Sequence, residues 1–419
     1  MSDTNHRVVI TGMGMLDPLG LDTASTWKGL ISGKSGITRI TQFDTAGYDT
    51  QIAGEVKGFE PTDFMSVKEA KRMDRFAQLA VAAAKQALAQ SGLVVDSSNC
   101  DCIGTVLGSG IGGINTLFEQ AKILIAKGPD RLSPFTVPMM IADMAAAQVS
   151  ITLGLKGPNF CTTSACASGA DAIGVAFESI RRGDSPVMFA GGTESAINPI
   201  GIAGFSALKA LSTRNDSPET ASRPFDATRN GFIISEGAAV LVLESLEHAT
   251  ARGARILGEI LSYGASADAF HMTQPTETGE GGVRSMNRAL ERAGLKPKDI
   301  DYINAHGTST QLNDKMETAA IKTVFGEYAG KIPVSSTKSM TGHLIGAAGS
   351  LEAAICALVI TEGIIPPTTN YKNPDPNCDL DYVPNKARKA KVDIALSNSF
   401  GFGGHNTTLI LGRYTGAGI

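Results

Sequence analysis

A short pattern that recurs half a chain length apart constrains this fold more than any other feature. Ala87-Leu-Ala-Gln-Ser-Gly92-Leu93 and Ala289-Leu-Glu-Arg-Ala-Gly294-Leu295 share the form A-L-x-x-x-G-L. Each copy ends a helical stretch at glycine, the residue that enters the left-handed conformation most easily. A linker and an apolar strand run follow: Ile103-Gly-Thr-Val-Leu before the turn Gly108-Ser-Gly110, and Tyr302-Ile-Asn-Ala before Gly307. The recurrence predicts a duplicated α/β half, with coincidence as the competing explanation because Ala-Leu helix ends before glycine are common. Further strand runs at Val8-Ile10, Val187-Ala190, Val240-Leu243 and Ile394-Ser397 alternate with helical patterns such as Arg75–Ala89. That alternation is the mark of buried sheets covered by helices. Duplication places a boundary near the helical segment Glu247–Ala254, giving halves 1–253 and 254–419. No Pro- or Ser-rich linker marks it, so the halves are expected to pack as one rigid body.

Composition narrows the function classes. The 419 residues are 42% hydrophobic and 19% charged, with a net charge of −4, which suits a chain with a sizeable core and no global attraction to nucleic acid. The start, Met1 to Arg7, lacks the apolar stretch of a signal peptide. The best apolar run, Ala353 to Ile360, falls short of a membrane span, so none is expected. The six cysteines are sparse and irregular. Cys100-Asp-Cys102 has neither the spacing nor the second pair of a zinc site, and a disulfide framework is not expected in so long a chain. A reducing, cytoplasmic setting follows. The 47 glycines exceed the usual share of about 7%, as in enzymes whose backbone approaches a ligand.

Four glycine-rich segments carry residues able to do chemistry. In Thr162-Thr-Ser-Ala-Cys166-Ala-Ser-Gly169, a polar strand end runs into the helical stretch Ala167–Arg181. Cys166 thus stands at a helix start, where the macrodipole favours the thiolate that attacks acyl carbons; a buried structural cysteine is the alternative. In Asn304-Ala-His306-Gly-Thr308-Ser-Thr310, a histidine follows a strand end on a loop, a common place for functional groups. In Val334-Ser-Ser-Thr-Lys338-Ser-Met-Thr-Gly-His343, a cation and a histidine lie among small uncharged residues. Glu352, on the following helix Ser350–Glu362, is the nearest partner for Lys338; a capped helix with one surface lysine is the plainer reading. In Ser397-Asn-Ser-Phe-Gly401-Phe402-Gly403-Gly404-His405, one ring between glycines makes either a mobile plug or a tight turn. Gly108-Ser-Gly-Ile111-Gly-Gly113 lacks both the Lys-Ser/Thr of a phosphate loop and the acid of a dinucleotide site.

Together these segments resemble the β-ketoacyl-acyl-carrier-protein synthases, and within them the fatty-acid elongation type. The resemblance runs along essentially the whole chain, through Val8-Val-Ile-Thr-Gly-Met-Gly, Ser133-Pro-Phe-Thr-Val-Pro, the Cys166 motif, Gly191-Gly-Thr-Glu194, Ala210-Leu-Ser-Thr-Arg214-Asn, Arg223-Pro-Phe-Asp226 and the later histidine and glycine loops. It implies the thiolase fold, two similar α/β halves in a five-layered αβαβα arrangement. Four departures stand out. Asn230 and Ser235 replace the usual aspartate and glycine, Asp17 stands where threonine is usual, and His405 where threonine is commoner.

The resemblance also implies a chemistry and a division of labour. Cys166 takes an acyl group from a carrier-protein thioester, and malonyl-carrier protein then loses CO2 to give an enolate that attacks the acyl-cysteine. The backbone N–H groups of Cys166 and Phe402 hold the oxyanion. His306 and His343 donate to the enolate oxygen, and Lys338, paired with Glu352, orients His343. Thr308 and Thr310 contact the pantetheine arm. Ile111, Phe205 and Phe402 shape the acyl pocket, which the partner subunit's Phe135 closes in a homodimer. No metal or organic cofactor is required. Carrier protein docks on Lys68, Lys71, Arg72 and Lys209. The i, i+3, i+4 spacing of the first three suggests one helix face, against the alternative of an ordinary solvated surface. Two other readings are a stand-alone polyketide ketosynthase, which shares the Cys–His–His set, and a non-catalytic chain-length-factor partner. The presence of Cys166 argues against the second.

Overall fold

The computed structural model describes residues 5–416, so Met1–Thr4 of the N-terminal stretch considered above lie outside the described residues. Ten strands form one continuous sheet: β1 (Val8–Leu16), β2 (Ile103–Gly108), β3 (Asn159–Thr162), β4 (Val187–Glu194), β5 (Gly237–Ser245), β6 (Gly258–Ala267), β7 (Tyr302–Asn304), β8 (Val334–Ser335), β9 (Ile394–Gly401) and β10 (His405–Gly412). Their spatial order is β8-β7-β9-β10-β6-β1-β5-β4-β2-β3. Read outward from the junction, each half gives its first, fifth, fourth, second and third strand. Strand directions match as well. In each half the fifth strand is antiparallel to its neighbours, and the fourth, second and third strands pair in parallel. The repeated pattern in the sequence therefore marks a true structural repeat. Its glycines, Gly92 and Gly294, end equivalent helices at φ of 62° and 68°.

The seam is narrow. β1 and β6 pair only through Val8↔Ile260, Val9↔Glu259 and Ile10↔Gly258. Beyond it the free edge of β6 is capped by arginines one helical turn apart, Arg284, Arg288 and Arg292, donating to the carbonyls of Ala267, Ala265 and Tyr263.

Seven helices matter for the layers: α1 (Arg75–Ser91), α2 (Ile114–Lys127), α3 (Met144–Leu153), α4 (Ser168–Arg181), α5 (Glu280–Ala293), α6 (Gln311–Phe325) and α7 (Ala348–Glu362). Successive strand residues point to opposite faces, and both faces are buried. In β5, Ala238, Val240 and Val242 pack against α1 and α3, whereas Ala239, Leu241 and Leu243 face α4 and α7. In β10, Ile410 joins α5 and α6, while Leu409 and Leu411 join the central helices. The result is helix, sheet, helix, sheet, helix, the five layers the resemblance implied. The central layer belongs to both halves.

One expectation needs correcting here. Ile345–Glu362 forms an 18-residue stretch of mean hydropathy 1.5, long and apolar enough to cross a membrane, although it is 83% buried inside the protein. Its apolarity reflects a central helix surrounded by protein on every side.

Candidate active site

The loops that follow the second and third strands of each half meet at one end of the sheet. They leave β2, β3, β7 and β8 at their C-terminal ends, where ligand crevices form in parallel α/β sheets. A cavity of about 340 Å³ opens there, and Cys166, His306, His343, Phe205, Phe402, Thr308, Thr310 and Lys209 all line it.

Cys166 occupies a tight turn, Ala165–Ala167, between β3 and α4. Ala165 has φ of 52°, a strained elbow for a residue with a side chain. The backbone N–H groups of Phe402 and of Cys166 itself lie near enough to the thiol to favour its ionised form. Gly401 lies so close that a Cβ there would meet Ser164 O at 2.7 Å and Cys166 N at 3.2 Å. The helix start does not by itself decide the ionisation of this thiol. Burial pushes the Cys166 thiol up to about 12, outweighing the Lys338 charge and the two N–H groups that favour ionisation. Desolvation of the small apolar turn wins over the helix terminus.

His306 and His343 face each other edge to face, with ring centroids 5.3 Å apart and planes at 86°. Phe400 packs on the first at 5.7 Å and Phe232 on the second at 5.2 Å. Burial and the nearby Lys338 charge hold both imidazoles well below their ordinary pKa, so both are neutral. Nδ1 of His306 and both ring nitrogens of His343 have no hydrogen-bond partner among the described residues. Leaving a buried polar atom unpaired costs about 1–3 kcal/mol, which is tolerated where a substrate atom is to be bound.

Lys338 and Glu352 form an ion pair, each side chain 2% exposed. The lysine begins a short helix, Lys338–Thr341, and the carboxylate comes from α7. The pair stands behind the cavity wall, so its charge acts on the histidines and the thiol without lining the pocket. Thr308 and Thr310 share a hydroxyl–hydroxyl hydrogen bond of 2.9 Å at the wall. The Phe205 ring lies 6.4 Å from Phe402 and 5.5 Å from Phe232.

Other expected site residues lie elsewhere. Ile111 is 36% exposed in the Gly110–Gly113 turn and does not line this cavity. Phe135 is half-buried beneath the guanidinium of Arg72, 4.6 Å from its ring centroid, away from the cavity of its own chain. The shared helix face for the basic cluster is corrected as well. The helix is a single turn, Val67–Ala70, closed by a Ser66–Glu69 capping box. Arg72 falls beyond it, though Lys68, Lys71 and Arg72 are all exposed. Lys209 adopts φ of 54° and pairs with Asp49 at 3.5 Å at the cavity rim.

Sequence reasoning missed Glu317. This buried carboxylate of α6 accepts the backbone N–H groups of His306 and Gly307 at 2.8 Å each, fixing the His306 loop. Burial raises it to about 7 against those donors. A signal was present: Asp314 and Glu317 share the buried stripe of α6 with Ile321 and Phe325. Of the departures, Asn230 lines the cavity and accepts from the Ser212 hydroxyl at 2.7 Å. Asp17 is buried, accepting from Thr26 Oγ1 and Leu19 N at 2.7 Å each. Ser235 is fully buried with its hydroxyl unpartnered, and His405 is exposed with its ring against Gly403.

Residues 5–249 match the β-ketoacyl synthase N-terminal domain and residues 257–372 the β-ketoacyl synthase C-terminal domain. The chain belongs to the β-ketoacyl synthase family. It is 52% identical over 408 residues to 3-oxoacyl-[acyl-carrier-protein] synthase 2 of Synechocystis sp., covering 97% of this chain and 98% of that protein. Among solved structures, the ishigamide ketosynthase/chain length factor superposes with a TM-score of 0.92 at 38% identity, covering 98% and 100% of the two chains. A type II polyketide ketosynthase, solved with its acyl-carrier protein, gives 0.91 at 34%, again covering 98% and 100%. The thiolase-like architecture of these synthases is the one described above.

Proposed function

We propose that this synthase carries out the decarboxylative Claisen condensation of fatty acid elongation, joining an acyl group to malonyl-acyl-carrier protein to give 3-oxoacyl-acyl-carrier protein. One observation carries the reading. A cysteine with two backbone N–H groups beside it shares a cavity with two neutral, buried histidines. In the first stage Cys166 attacks the thioester, and the N–H groups of Cys166 and Phe402 stabilise the oxyanion. In the second stage CO2 leaves the malonyl group. A neutral imidazole retains one N–H, so His306 and His343 each offer a donor to the enolate oxygen without a resting positive charge. Burial, helped by the Lys338 charge, keeps both rings neutral, and the Lys338–Glu352 pair orients His343. Thr308 and Thr310 receive the pantetheine arm, while Phe402 and Phe205 form the movable wall of the acyl channel.

The active unit in this proposal is a homodimer of chains built from halves 1–253 and 254–419. Support comes from exposed apolar side chains in one stretch of the chain. β3 is one of the two edge strands of the sheet, and Phe160 on it is exposed, as are Leu117, Ile125, Val137, Ile141 and Ile151 in the segment that precedes it. Exposed large apolar side chains gathered in this way suit an interface. Ile111 and Phe135 lie in the same part of the chain, so dimerisation would bring the partner subunit's Phe135 to the distal end of a channel gated by Ile111 of this chain. Carrier protein docks on the exposed cations Lys68, Lys71 and Arg72 and on Lys209 at the rim, without metal or organic cofactor. The 34%-identical ketosynthase solved with its acyl-carrier protein supports a carrier partner. Six free thiols fit a cytoplasmic setting.

The likeness to polyketide ketosynthase structures favours a second reading, a stand-alone polyketide ketosynthase. Intact mass spectrometry after incubation with saturated acyl-carrier proteins of graded length tests the first. Acylation at Cys166 followed by a single condensation with malonyl-carrier protein is expected. Repeated condensation without intervening reduction would transfer the assignment to the polyketide reading.

A further inference from the structure

The repeat extends to the catalytic elbow itself. In the first half the turn Ala165-Cys166-Ala167 leads into α4. In the second half the turn Ile345-Gly346-Ala347 leads into α7. Both begin with a non-glycine residue in the left-handed region, Ala165 at φ of 52° and Ile345 at φ of 49°. Gly346 is thus the counterpart of Cys166, and its N–H is the counterpart of the N–H that faces the acyl oxyanion. In the second half this N–H meets a carboxylate supplied by the first.

That carboxylate is Glu194, the last residue of β4, fully buried. Oε2 accepts from Gly346 N at 3.0 Å and Gly110 N at 2.7 Å. Oε1 accepts from Ser109 Oγ at 3.1 Å and Ile111 N at 3.3 Å. Four donors from two halves converge on one side chain, and they fill an anion hole with the protein's own carboxylate. The fit is close: a Cβ on Gly346 would stand 2.7 Å from Glu194 Oε2 and 2.3 Å from Gly110 N. A Cβ on Gly110 would stand 3.3 Å from Ala165 O, so the turn that Glu194 holds abuts the catalytic elbow.

We propose that Glu194 is a positioning residue, a built-in anion that occupies the second half's counterpart of the oxyanion hole and so fixes the Ser109–Ile111 turn against the Cys166 elbow. Acyl transfer to Cys166, and its dependence on acyl length, then require the Glu194 carboxylate although it touches no substrate. This rests on Cys166 being the acylated nucleophile.

The test measures the rate of acyl-enzyme formation by intact mass, with six- and twelve-carbon acyl-carrier proteins, on the full-length protein. Displacing a catalytic elbow by an ångström is worth about 10²-fold, so Glu194→Ala should slow acylation by about that factor. Acetate should restore at least about tenfold of it by refilling the hole, whereas neutral acetamide, which cannot accept from four donors at once, should not. Loss of the turn's anchor should also change the twelve- to six-carbon rate ratio by about threefold or more. Glu194→Gln keeps the volume and exchanges one acceptor oxygen for a donor; a roughly tenfold loss is expected from it, which keeps the idea testable if the alanine variant does not fold. Failure of the wild-type protein to acylate at Cys166 would remove the reading on which the inference rests, and the inference with it. Normal wild-type acylation with a Glu194→Gln rate and length profile equal to wild type would overturn the inference alone, as would a folded Glu194→Ala variant rescued equally by acetamide.

Discussion

The two halves of this synthase share strand order, strand direction and a strained elbow before the central helix, yet they carry opposite chemistry. In the first half the elbow presents a thiol, and in the proposed mechanism its N–H is left for a substrate oxygen. In the second half the elbow is a glycine whose N–H is already taken by Glu194. The loops after the second strands diverge in the same way. One holds the Ser109–Ile111 turn against the nucleophile, and the other delivers His306 on a loop fixed by Glu317. The scaffold therefore sets where loops converge, while short loop sequences decide which is nucleophile, donor or wall.

The largest effect that separates the halves should come from Cys166→Ala. It removes the nucleophile from the one elbow that has it, so acyl transfer should vanish while circular dichroism stays unchanged. An acyl adduct persisting in that variant, at Cys161 for instance, would break the assignment of chemistry to the elbow. Next come the second-half donors. His306→Ala and His343→Ala should each lower CO2 release from malonyl-carrier protein by roughly 10²–10³, yet each should still form acyl-enzyme. Normal CO2 release would show that the second half does not supply the decarboxylation step.

A smaller effect should mark the first half as the site of length selection. Ile111→Phe overpacks a channel end at a cost of about 1–3 kcal/mol, so twelve-carbon acyl-carrier protein should lose activity while the six-carbon substrate is spared. Equal loss on both would return Ile111 to the status of a packing residue. The smallest effect belongs to the exposed lysines. Replacing Lys68 and Lys71 together by glutamate should raise KM for acyl-carrier protein a few-fold, about 0.2–1 kcal/mol for each exposed charge pair lost. The difference should fade as salt is raised, and an unchanged KM at low salt would remove these lysines from the docking surface.

Local chemistry made the repeat legible: glycine ends a helix in the same way wherever it occurs, so Gly92 and Gly294 announced equivalent helices before any contact was known. The Lys338–Glu352 pair was legible because a lysine among small uncharged residues needs a partner, and the next helix offered one. The ionisation of the Cys166 thiol was not legible, because burial by segments far away in sequence outweighs the groups that favour the thiolate. Glu194 escaped notice for a related reason: it works through backbone N–H groups of loops far away in sequence, which leave no trace in residue type, whereas Glu317 holds a loop ten residues back and was marked by its place on the buried stripe of α6. Arg72 shows the converse, since spacing suggested a helix face where the chain makes one turn and then sets the guanidinium over Phe135.

The shared central layer has a consequence for the chain as it is made. α4 and the inner face of β5 belong to the first half, but α7, which covers them, begins at Ala348, about a hundred residues after β5 ends. At roughly 5–20 residues per second of synthesis, the nascent first half leaves an uncovered apolar surface for about 5–20 s. Its outer core, α1 and α3 against the sheet, is complete by then. The emerging chain should therefore pass through a state with one finished layer and one sticky face, and it is over those seconds that a chaperone has something to hold.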